Sequence, residues 1–452
     1  MGQDKNKKVG FDRKHLIVMA LGNIIGSGIF LASGAVISVA GPSAIIAYAI
    51  GGAIMMLEVL FITEMSIVNP APGSFRVHAT EVFGNGVGFV NGWMFWCSGV
   101  LGMAGEVTAA AIFSSFWFPQ IPLWIFCIIY TLLMTCVNFL DVRGLSKIEM
   151  WLASTKVLTL VIFIVFGLFV LSGVLPFELK GISANFQSIE GFMPGGIKGV
   201  LASMLLVLFS YTGTGIIGLA IAETNQPEKN VPSAVYIITF SINILYVLSI
   251  LFILLMSPWK GISSAESPFV LIMQSMGIAF GGTIVNFIVL TASLSGLNSA
   301  MYSASRMLYS LGRDKQAPSF FERKNKLGVP YFAVGISSLV LIFTAVLSYM
   351  VPDKVFLILT GASGFTAMLN WLTISVTHLF YRRKVMRECP QKLKYRVRGY
   401  PYVSILAILL ITAILLTSPL FPGQILSLLG GISLIVVLAL IYIVLKYMKV
   451  VK

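Results

Sequence analysis

Charge is what this 452-residue chain has least of: Asp, Glu, Lys and Arg make up 11% of it, against about 25% in soluble domains. With 57% hydrophobic residues, that shortfall excludes a soluble globular protein and marks an integral membrane protein. Cysteine and histidine are nearly as scarce, at four and three residues. Cys97, Cys127 and Cys136 fall in apolar runs and Cys389 in a basic loop, so a disulfide framework is excluded and no metal-ligand spacing appears. His15, His78 and His378 flank apolar runs and read as interfacial polar residues. No grouping of His, Glu, Asp or Ser at membrane depth points to an intramembrane enzyme. No continuous polar lining points to a channel.

What the chain has in excess is apolar length. Runs near 16–39, 43–68, 87–115, 121–140, 149–174, 197–222, 231–257, 269–305, 331–351, 355–380, 402–420 and 424–445 read as twelve membrane-spanning helices. The first follows a basic stretch and is too long for a signal-peptide core, so it is expected to stay as a span. If the N-terminus is cytoplasmic, 26 of the 31 Lys and Arg residues fall on the cytoplasmic side. Lys180, Lys198, Lys260 and Lys354 fall on the other side, and Lys156 lies inside a span. The positive-inside rule then puts both termini in the cytoplasm. The net charge of +14 is a topology signal, helped by anionic lipid, and no nucleic-acid partner is expected.

The first span holds GNIIGSGIF at 22–30, where glycine costs about 1 kcal/mol per residue relative to alanine in a helix. Gly22 and Gly26 also spell a GxxxG packing face. The sixth span repeats the pattern as GTGII at 213–217, five spans later and therefore with opposite polarity. Interrupted segments at matching positions of two halves favour broken helices in an inverted five-plus-five repeat, the mark of a transporter's midplane site. A broken helix frees N–H groups that hold a carboxylate and C=O groups that hold an ammonium. Such backbone is tolerated at membrane depth only beside a cavity.

Few ionisable side chains lie inside the spans, and these are informative. Glu64, before Asn69-Pro70, reads as structural or as part of a gate; Glu58, deeper, is expected to face the bundle. Glu106 follows the small residues 102–105 and either lines a substrate cavity or pairs with a polar neighbour. Lys156 lies nine residues past Lys147, about 13 Å along a helix. Snorkelling to the surface is strained over that distance. The sharper reading is a buried ammonium on the freed carbonyls of the first span, at a place where another transporter would hold Na⁺, able to exchange a proton.

Three stretches then carry a resemblance: GNIIGSGIF, FSYTGTGIIGLAIAETNQPEKNVPSA (209–234) and SGLNSAMYSASRMLYSLGRDKQAP (295–318). Together they resemble the first, sixth and eighth helices of bacterial amino acid permeases of the amino acid–polyamine–organocation superfamily, and the likeness covers nearly the whole chain. EMSIVNPAPGSFRVHA (64–79) and GEVTAAAIFSSFWFPQIPLWIF (105–126) resemble the branch with aromatic, proline, GABA and D-alanine/glycine permeases. The resemblance implies an all-α membrane protein with the inverted-repeat fold of the bacterial leucine transporter and two extra C-terminal helices. It divides the chain into a segment 1–14, a first repeat 15–175, a second repeat 195–381, two helices over 400–446 and a tail 447–452. It implies no cofactor, no enzymatic activity and no obligate protein partner.

Carried over by position, N–H groups around Gly26, Ser27 and Gly28 would bind a substrate carboxylate. Carbonyls near Asn23, Ile25, Phe209 and Ser210 would take its amino group. Tyr211, Thr212, Gly213, Thr214 and Gly215 would shape the side-chain pocket, and Glu106 matches a glutamate common in the branch. Lys156 matches the fifth-helix lysine of proton-coupled relatives, with Ser295, Asn298 and Ser299 as its polar neighbours. One departure matters: many relatives carry glutamate where this chain has Gly215, which argues against cationic substrates and leaves room for an apolar side chain. The expected function is proton-symport import of a neutral L-amino acid, with D-alanine or glycine also within range. A sodium-independent exchanger, an amine antiporter and a transporter-like nutrient sensor are the alternatives.

Overall fold

The computed structural model describes residues 12–71, 73–139, 142–221, 224–278, 280–421 and 424–448. Most of the segment 1–14, the tail beyond 448, and Glu223 lie outside the described residues. A bilayer offers no water to an exposed backbone, so a spanning chain must satisfy its N–H and C=O groups within helices. Ten helical runs are long and apolar enough to cross. The first of them, Gly28–Val68, is turned at Gly41 (φ +63) into two crossings, and the 17-residue apolar helix Leu123–Phe139 is one more. Twelve spans result among the described residues.

Their pairing follows the repeat. Span 1 (Arg13–Ile24 and Ser33–Ala40) packs on span 6 (Gly196–Ser210 and Gly215–Ile221), and span 2 (Ala44–Val68) on span 7 (Pro227–Met256). Span 3 (Asn85–Ser115) packs on span 8 (Gly281–Arg313), and span 4 (Leu123–Phe139) on span 9 (Tyr331–Met350). Each of the first four spans thus meets its counterpart five spans on, which is how two inverted halves interlock. Span 5 (Val142–Leu171) lies against span 1, and span 10 (Val355–Glu388) against span 3. Span 11 (Tyr402–Thr417) and span 12 (Ile425–Tyr447) stand outside on span 10. Span 12 leaves Leu429, Val436, Leu440 and Ile443 exposed, an apolar face suited to lipid.

The apolar run expected over 269–305 divides. Pro268–Ser275 is a separate short helix, and the chain turns through Gly277 and Phe280, both at positive φ, before span 8 begins. The run reads as continuous because the short helix is itself buried: the Phe269 ring packs at 5.2 Å from Phe30 and 4.7 Å from Phe163. A second unexpected element is the helix Phe75–Phe83 between spans 2 and 3.

Candidate functional site

Both glycine-rich segments interrupt their helices. In span 1 the last α-helical hydrogen bond runs from Ile25 N–H to Leu21 O, Ile25 is extended (φ −78°, ψ 100°), and the chain resumes as a wide turn over Gly28–Ala32. In span 6 the gap is Tyr211–Thr214, with Gly213 at φ +93°. The gaps face each other. A Cβ on Gly213 would sit 2.7 Å from Asn23 O, and one on Gly28 would overlap the Ser210 backbone. The Asn23 side chain donates to Gly213 O at 2.6 Å. The glycines therefore serve the break and the close packing together.

The freed groups of span 1 are met by three other spans. Ser27 N–H donates to both oxygens of Glu106 in span 3, at 3.1 and 3.0 Å. Lys156 of span 5, 1% exposed, donates from Nζ to Gly22 O at 2.6 Å. Tyr246 of span 7 donates to Ile24 O at 3.2 Å. A Cβ on Gly26 would overlap the Glu106 carboxylate, and one on Gly296 would approach it at 3.0 Å, so span 8 covers the same group from the other side.

Beside Glu106 lies a cavity of about 90 Å³. Asn23, Glu106, Phe209, Thr212, Gly213, Thr214 and Gly215 line it; Ile25, Gly26, Ser27, Gly28, Ser210 and Tyr211 stand behind them. Tyr211 turns away from the pocket it was expected to shape, because its hydroxyl donates to Tyr48 O at 2.9 Å. Ser210 Oγ pairs with Tyr48 OH at 3.1 Å. The room expected beside Gly215 is filled: a Cβ there would lie 2.6 Å from the Phe95 ring, which packs at 5.1 Å against Phe75. Of the span 8 residues, Ser295 and Ser299 are buried, Ser299 O accepts from Ser303, and Asn298 accepts from Asn138 of span 4 at 2.7 Å.

Two parts of the wall carry no motif in the sequence. Glu58 of span 2 lines the cavity, and its carboxyl meets the Thr214 hydroxyl. Span 10 contributes Ser363, Asn370 and Trp371. For Glu58 the available signal was a lone carboxylate in an apolar run; for span 10 there was none.

At the end of the cavity nearest the loop between spans 2 and 3, polar clamps tie the elements. Arg76, 1% exposed, donates to Gln316 at 2.8 Å and Ser310 at 3.1 Å and pairs with Asp314. Glu64 accepts from Arg382 at 3.1 Å and from Val397 N–H at 2.5 Å, which makes it an anchor for span 10 and the following loop. Among the described residues no group of His, Cys, Asp and Glu is placed to hold a metal ion, and Cys97, Cys127, Cys136 and Cys389 are free thiols.

Residues 15–452 match the amino acid permease family. The gamma-aminobutyric acid permease of Bacillus subtilis is 36% identical over 404 residues, 89% of this chain and 86% of the relative. The histidine permease HisP of Lactococcus lactis is 33% identical, covering 92% of this chain and 89% of the relative. The aromatic amino acid transport protein AroP of Salmonella typhimurium is 32% identical, covering 93% and 92%. Among solved structures, the Eremococcus coleocola manganese transporter superposes with a TM-score of 0.57 over 97% of this chain and 94% of that one. At 14% identity it is similar in fold alone.

Proposed function

Because the chain belongs to the amino acid permease family of multi-pass membrane transporters, we propose that it imports a neutral amino acid by proton symport, alternating access between the two sides of the cell membrane. The carrying observation is the seat at the break of span 1, where Ser27 N–H holds a carboxylate, that of Glu106. A helix break that binds one carboxylate suits another, the α-carboxylate of an amino acid. The two acids cannot share the N–H without like-charge repulsion, so substrate arrival displaces Glu106. The carbonyls of Asn23 and Ile25, with Phe209 and Ser210, take the ammonium.

Coupling falls to Lys156, already on Gly22 O. A proton on or off its amine alters that hydrogen bond and so biases the break, with Ser295, Asn298 and Ser299 as its polar surroundings. A neutral substrate is supported by the apolar part of the wall, formed by Phe75, Phe95, Phe209 and Trp371. The basic residues on one side of the spans support cytoplasmic termini. Reconstituted protein tests the reading: accumulation against a gradient should require an inward proton gradient. Substrate should emerge from a thermal-shift screen of amino acids, since a ligand of the folded state stabilises it. Counterflow that ignores both ΔpH and voltage would show an exchanger instead.

A further inference from the structure

Glu58 has no place in the chemistry above. It sits on span 2, is 1% exposed, and lines the same cavity as Glu106. Its carboxyl is turned to the Thr214 hydroxyl in the gap of span 6. Its second oxygen, Oε2, is buried and has no hydrogen-bond partner among the described residues. A buried acceptor left unmet costs free energy in a water-poor interior, so such a group is expected to find a donor in the loaded state. Among the described residues no Lys, Arg or His lines the cavity to supply one. A substrate hydroxyl entering the cavity is able to supply one.

We propose that Glu58 is a specificity-determining residue that accepts a hydrogen bond from the substrate's side chain, selecting small amino acids that carry a side-chain hydroxyl. The proposal rests on the transport reading above and deepens it. Position supports it: Thr214, which Glu58 meets, belongs to the gap of span 6 that lines the cavity. A substrate side chain directed at span 2 would therefore meet Glu58. The remaining wall is mixed, with Asn370 and Ser363 as well as Phe209 and Trp371.

Threonine and valine are nearly the same shape and differ in one hydroxyl, so they isolate the contact. A site built around a substrate hydroxyl rejects the analogue without it, because its own polar group is then left unpaired. In proteoliposomes containing the full chain, threonine should compete for uptake at least about tenfold better than valine. Glu58→Met should collapse that ratio towards unity, while Glu58→Gln, which keeps an acceptor oxygen in place, should retain most of it. Thermal shifts by threonine and valine on the same three proteins give the ratio without transport, so a variant that binds but does not cycle still reports. An unchanged threonine-to-valine ratio in Glu58→Met, or none in the wild type, overturns the assignment. Preference for lysine or ornithine, lost in Glu58→Met, overturns the hydroxyl and makes the carboxylate a counter-ion. If no amino acid is taken up or bound by the wild type, the transport reading itself fails, a result distinct from the other two.

Discussion

Glu106 receives the backbone N–H of Ser27 through both carboxylate oxygens, at 3.1 and 3.0 Å. The anion seat of the broken helix is thus filled by a side chain of span 3. Replacing Glu106 by alanine leaves a buried N–H unmet and should lower the stability of the substrate-free protein by about 1–3 kcal/mol. Saturating substrate should shrink the difference from wild type, because its carboxylate takes over the N–H. Thermal unfolding with and without ligand measures both. A difference that ligand does not change would remove the seat from the binding site.

Lys156 should be separable from binding. In Lys156→Ala the Gly22 carbonyl loses its donor, and proton-driven accumulation should fall at least about tenfold. Substrate counterflow, which needs no net proton movement, should survive at a reduced rate. Preserved accumulation under ΔpH would take the coupling role away from this residue.

Gly28 tests the facing of the two gaps. Its Cβ would run into the Ser210 backbone, which cannot give as a flexible side chain can. Gly28→Ala should cost about 1–3 kcal/mol by overpacking and depress uptake in proportion. Gly84→Ala is the control for space alone, since nothing lies within 4 Å there, although its φ of +87° adds strain. A Gly28 variant as stable as wild type would mean that the gaps are free to separate.

The loop helix Phe75–Phe83 carries a pH test. Burial pushes the His78 imidazole down to about 3 from 6.5, and neither ring nitrogen has a partner among the described residues. The unfolded chain therefore takes up the proton first. Stability is unaffected by this group above pH 6.5 and is lost as pH falls from there towards 3, at about 1.4 kcal/mol per unit. His78→Phe keeps a ring against Tyr381, whose centroid lies at 5.2 Å, and removes the titration. Between neutral pH and about pH 5, wild type should lose about 2 kcal/mol more than the variant by thermal unfolding. Parallel losses would assign the acid sensitivity to other groups.

The sequence was most legible where a local signal had one physical cause. The paired glycine segments pointed to two interruptions because glycine is costly in a helix and the spacing inverted their polarity. Lys156 stood out because a lysine at that depth needs an acceptor. Gly215 was less legible. The missing side chain suggested an open pocket, but the space belongs to Phe95, 120 positions earlier, which only tertiary packing delivers. Tyr211 likewise lay in the right segment but turned towards Tyr48. The wall from span 10 had no signature, since Ser363, Asn370 and Trp371 look like ordinary residues of an amphipathic span until span 3 packs on them. Pro268–Ser275 was absorbed into span 8 because burial inside a protein and burial in lipid select the same apolar residues.

The interruption of span 1 has partners on spans 3, 5 and 7, all of which follow it in the chain. A nascent chain that has delivered only its first span to the membrane holds no Glu106, Lys156 or Tyr246 to meet these backbone groups. In lipid each unmet group costs several kcal/mol. The open form of span 1 thus depends on groups that follow it in the chain, so the break and the spans around it are stabilised together.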